Sequence, residues 1–119
     1  MNALSIAEAR RRIAADATHR SVIDEVLERA TSGDAAHVFI ALGAGGARAA
    51  ADAADVAARS DSPVAGLPIT VKDLFDVAGE VTRAGSRVLD DVPAATRDAV
   101  VVERLRKAGA AIIGRTNMT

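Results

Sequence analysis

Two adjacent isoleucines constrain this chain more than any other feature. Successive side chains of an extended strand point to opposite faces, so Ile112 and Ile113 demand apolar neighbours on both sides of one strand. Ala110 to Gly114 is therefore expected to form a buried strand of the parallel type. The stretch before it, Arg97 to Ala108, carries Val101, Val102 and Leu105 at helical spacing and stops at Gly109, a C-cap signal. A helix feeding a buried strand indicates an α/β architecture. Only five residues come after Gly114, so nothing later in the sequence covers or flanks that strand. The expectation is a chain cut inside a larger α/β domain.

Composition sharpens this. The 119 residues suit one domain and not two. Of 59 hydrophobic residues 28 are Ala, while Val, Leu, Ile and Phe number 13, 7, 7 and 2. Helices are easy to form from such a set, but bulk for a deep core is scarce. With 15 basic residues interspersed among 16 acidic ones, direct nucleic-acid binding is not expected. The absence of Cys excludes a disulfide framework and a cysteine nucleophile. His19 and His37 are the only histidines, too few for a multi-histidine metal site. The first residues lead into Glu8 and Arg10-Arg11-Arg12 with no apolar secretory core, and no run approaches the ~18 apolar residues of a membrane span. A cytoplasmic protein without membrane contact is the expectation.

Along the chain, Ser5-x-x-Glu8 reads as a capping box opening a helix from Ser5 to Ala17, with Ile6, Ala9 and Ile13 on one stripe. Thr18-His19-Arg20 interrupts it. Ser21 is expected to cap a second helix bearing Val22, Ile23, Val26, Leu27 and Ala30, with Gly33 in a left-handed C-terminal position. The two helices are read as an amphipathic hairpin. His37 to Leu42 reads as a strand, Ala47 to Arg59 as an alanine-rich helix, and Ser60 to Pro63 as a loop. Pro68 opens a strand, Ile69 to Lys72, and Asp73 to Asp91 is irregular. Gly43-x-Gly45-Gly46 has the outline of a dinucleotide loop, but Arg48 stands where the third small residue belongs. A flexible strand-to-helix turn is the expected role.

Lys72 is the candidate for chemistry. Leu67, Ile69 and Val71 alternate onto one face, leaving Thr70 and Lys72 on the other between apolar flanks. Desolvation disfavours a charged lysine, and a neutral one can take a proton from a serine hydroxyl. A lysine reaching out to pair with Asp73 or Asp76 fits the same spacing.

The segment Gly66-Leu67-Pro68-Ile69-Thr70-Val71-Lys72-Asp73-Leu74-Phe75-Asp76-Val77-Ala78-Gly79 resembles the first catalytic block of the amidase signature family. Thr82-x-Ala84-Gly85-Ser86 resembles its next turn, and Asp98 to Ala110 its next helix. Ile112-Ile113-Gly114-Arg115-Thr116-Asn117-Met118 resembles the strand and loop that follow. The likeness covers residues 63–119 closely and the helical part loosely. It implies the N-terminal part of an α/β/α fold, with a helical lead-in over residues 1–62 and a first catalytic-core block over residues 63–119 that joins the first strands of a mixed sheet.

The resemblance also implies hydrolysis of a small-molecule carboxamide by a Ser–cis-Ser–Lys triad, without metal or cofactor. Lys72 would be the general base, acting through the bridging cis-serine, with backbone amides as the oxyanion hole. Both serines of the family lie in a downstream Gly/Ser-rich segment. Ser5, Ser21, Ser32, Ser60, Ser62 and Ser86 have no Gly-Ser-Ser-Gly context, and Ser86 reads as a loop hydroxyl. One triad member of three is present, so the chain alone is expected to be inactive. The expected partners are a second copy of the chain or amidotransferase subunits. The alternative readings are the A subunit of a glutamyl-tRNA amidotransferase and a non-catalytic interaction fragment.

Overall fold

The computed structural model describes residues 4–57 and 61–118. Helix α1, Ile6–Ala15, starts where Ser5 Oγ accepts the Glu8 N–H. Helix α2, His19–Ala30, is capped by Thr18 and not by Ser21: Thr18 Oγ1 accepts the Ser21 N–H at 3.0 Å. Strand β1, Phe39–Leu42, leads into α3, Ala44–Val56. The expected end of that helix at Arg59 and the start of the next loop at Ser60 lie outside the described residues, as does the Met1-Asn2-Ala3 start. Strand β2, Pro68–Lys72, a single-turn helix Arg87–Leu89, helix α4, Val100–Lys107, and strand β3, Ala111–Thr116, complete the order.

Two readings of glycine divide. Gly109 has φ +86 and ends α4 as expected. Gly33 is right-handed and opens a 3₁₀ turn, Gly33–Ala35, so α2 ends on Thr31 without a left-handed residue. Gly43 caps α3 while Gly45 and Gly46 lie within its first turn, so the glycine segment is largely helix and not a free loop.

The sheet has the order β1-β3-β2, with β3 parallel to β2 and antiparallel to β1. The two-sided strand is thus the central one. Its flanking strands and its cover come from earlier in the chain and not from the residues after it. Ala111 and Ile113 pack with Ile23, Leu27, Ala47 and Ala51 of α2 and α3. Ile112 packs with Val71, Val77 and Val102 of β2, the following loop and α4. The helical lead-in followed by the strands of a mixed sheet is as expected. Helix α1 rests on α2 through Ala9 and Val22, with Leu67 and Ile13 beside them, but the main partner of α2 is α3 and not α1. Leu67 and Val71 therefore bury into separate clusters and do not share one packed face.

Helix α3 also completes the start of α2. Asp55 accepts the N–H groups of His19 at 2.7 Å and Arg20 at 3.0 Å, and faces His19 Nδ1 at 2.8 Å. Partial burial pushes this carboxyl up, but the backbone donors of Arg20 and His19 outweigh it and hold Asp55 below its ordinary value. Losing such a cap costs about 1–2 kcal/mol, so Asp55→Ala is expected to lower the urea midpoint by that equivalent. A lowered folded-state value means the contribution is complete above the ordinary aspartate value of about 3.9 and fades as pH falls through the folded one. The gap between wild type and Asp55→Ala should therefore be wide at neutral pH and narrow in acid.

Candidate active site

Lys72 is the last residue of β2, in register with Thr116 of β3. Strand pairing runs one step further, with the Asp73 N–H donating to Thr116 O at 3.0 Å. The chain then turns sharply: the N–H groups of Leu74 and Phe75 both donate to Lys72 O, at 2.7 and 3.2 Å. Lys72 thus stands half-buried at the carboxyl end of a parallel strand, beside exposed Leu74 and Phe75. This is where open α/β sheets present functional groups.

The expected ion pairs with Asp73 and Asp76 do not form. Asp76 Oδ1 accepts the Thr82 hydroxyl at 2.9 Å. Asp73 Oδ1 pairs with Arg115 Nη2 at 3.1 Å, and these side chains are only 3% and 4% exposed. Lys72 makes no ion pair with any described residue. Arg115 also donates to Phe75 O at 2.7 Å and to Glu80 Oε2 at 3.2 Å, tying β3 to both ends of the turn after Lys72. Sequence reasoning gave Arg115 and Glu80 no role, and offered Asp73 only as a partner of Lys72. The available signal was a guanidinium directly after the apolar run 110–114, because a charge on a buried strand requires a partner.

The described serines are occupied locally. Ser5 and Ser86 accept backbone N–H groups, and Ser21, Ser32 and Ser62 donate to the carbonyls of Thr18, Arg29 and Ala108. Ser86 caps the turn Arg87–Leu89, consistent with a loop hydroxyl. Ser60 lies outside the described residues. No group of three or more metal-ligating side chains occurs among the described residues, and no described helix is long and apolar enough to cross a membrane. A cavity of about 630 Å³ opens between α3 and the end of α4, over Ile112 and Gly114. Gly43 and Gly46 line it, and Lys72 does not.

A mixed sheet covered by helices on both faces, with a lysine at the end of its parallel pair, defines the class: an α/β protein carrying the lysine block anticipated from the sequence. The family model described as Amidase matches residues 21–119. A 1-carboxybiuret hydrolase subunit of Pseudomonas sp. (strain ADP) is 52% identical over 75 residues, which are 60% of this chain and 16% of that protein. The A subunit of the glutamyl-tRNA(Gln) amidotransferase from Acidothermus cellulolyticus is 37% identical over 114 residues, 92% of this chain and 22% of that one. An inhibitor-bound structure, described as part of a vestigial protein complex that reveals the origins of an s-triazine catabolic enzyme, superposes with TM-score 0.86 at 36% identity. It covers 97% of this chain and 26% of its own. The chain belongs to the amidase-signature family of amide hydrolases. It spans less than a quarter of the length of these two curated relatives.

Proposed function

We propose that this chain supplies the lysine of an amide-splitting site, as a segment of an amidotransferase A-type subunit, and has no turnover alone. The observation that carries the reading is Lys72, half-buried at the end of a parallel strand with no ionic partner among the described residues. In that site the lone pair on Nζ takes the proton of a bridging serine, which takes the proton of the nucleophilic serine. The nucleophile attacks the carboxamide carbon, the C–N bond breaks, and ammonia leaves with a proton returned along the same path. Water then hydrolyses the acyl-enzyme. Both serines come from sequence outside these 119 residues. An amidotransferase A subunit that aligns with 92% of this chain supports the amidotransferase class. The second reading, a hydrolase of linear carboxamides, draws on the higher local identity of the hydrolase subunit, 52%.

The test is a chimaera in which residues 21–119 replace the matched segment of the amidotransferase subunit, assembled with its partner subunits. Ammonia release from glutamine is expected from the chimaera and none from the isolated chain. A silent, folded chimaera, together with activity when the same residues are placed in the hydrolase subunit, would favour the second reading. Turnover by the isolated chain that Lys72→Ala abolishes would overturn the claim that it is inactive alone.

A further inference from the structure

We infer that Arg115 is a positioning residue of the lysine site, acting by holding Asp73 away from Lys72. The inference rests on Lys72 being the working group. Lys72 and Asp73 are adjacent, and the chain turns back on itself directly after them. A long lysine stem at such a turn can reach a neighbouring carboxylate. The charged groups around the turn are Asp73, Asp76, Glu80 and Arg115. Asp76 is taken by Thr82, and Glu80 and Asp73 are taken by Arg115. Asp73 is the critical one. It is buried, and its Oδ2 has no partner among the described residues, so Arg115 carries the whole of its ionic compensation.

A buried carboxylate stripped of its cation either takes up a proton or draws in another cation, because an unpaired charge is costly out of water. Here the nearest cation in sequence is Lys72. An ion-paired lysine is held protonated and cannot accept a proton. Arg115 is suited to the task, since its fork serves Asp73, Phe75 O and Glu80 together.

The experiment needs no catalysis, so its failure is separate from failure of the amidase reading. Lys72 and Lys107 are the only lysines. Lys107 sits on α4 paired with Glu103 and serves as internal standard. The folded chain is treated with a trace of an N-hydroxysuccinimide acetate, and acetylation of the two sites is compared by mass spectrometry. Arg115→Gln is expected to lower the Lys72-to-Lys107 ratio about fivefold, the scale of one modest ion pair. Adding Asp73→Asn to that variant should restore the ratio, and Arg115→Lys should preserve it. An unchanged ratio in Arg115→Gln, with amide protection of β3 intact, overturns the inference. Should Arg115→Gln fail to fold, Asp73→Asn alone decides. A ratio within about twofold of wild type supports the inference, whereas a several-fold rise means Asp73 already pairs with Lys72 and overturns it.

Discussion

Gly114→Ala is expected to break the sheet between β1 and β3. A Cβ at this position would lie 2.4 Å from Ala41 O, with Phe39 Cδ1 and Leu42 Cδ2 at 3.1 and 3.2 Å. The side chains could give way, but a backbone carbonyl can retreat only by carrying its strand with it. Ala41 and Leu42 pair with Arg115 and Gly114, so the retreat undoes the register of the whole contact. Overpacking a filled site costs ~1–3 kcal/mol and occasionally more, and a clash with backbone belongs at the upper end. With so much of its apolar set being alanine, the protein has little margin to absorb that loss. The expected result is loss of the cooperative urea transition, or a midpoint shift equivalent to about 3 kcal/mol. Amide protection of Phe39–Leu42 should go first. A variant matching wild type would mean that β1 and β3 are not closely paired.

The strand containing Gly114 also shows where sequence reading succeeds and where it stops. Side-chain alternation is local, so Ile112 and Ile113 announced a two-faced buried strand without any knowledge of its neighbours. Pairing is not local. The flanking strands lie at Phe39–Leu42 and Pro68–Lys72, and nothing in residues 110–114 specifies them. Helix ends divide in the same way. Ser5 caps α1 through a bond three residues long, and that was legible. Thr18 prevails over Ser21 at α2 because Asp55, 36 residues further along, satisfies the His19 N–H that an earlier start exposes. The site follows suit. That Lys72 ends a strand is written in Pro68 to Lys72 and the turn residues after it. That it lacks an ionic partner depends on Arg115, 42 residues from Asp73, and no spacing rule reaches that far.

Lys72→Arg in the active chimaera is expected to abolish ammonia release while leaving stability unchanged. The substitution keeps the charge and a stem of similar length, and removes only the ability to give up a proton. If Nζ is the base of the serine relay, the loss is that of a general base, about 10²–10⁴-fold in kcat, with KM little affected because the residue does not bind substrate. Stability should hold, because Lys72 is half-buried and makes no ion pair with any described residue that the change could break. Effects of such replacements stay within about 0.5 kcal/mol, readable from urea midpoints. Lys72→Ala should be as inactive as the Arg variant. The comparison separates two roles that a structure alone leaves superposed. A base requires a removable proton and loses everything in Arg, whereas a fixed positive charge that steadies the serines or the substrate survives there and fails only in Ala. Activity retained by Lys72→Arg would therefore remove the general-base role and leave an electrostatic one.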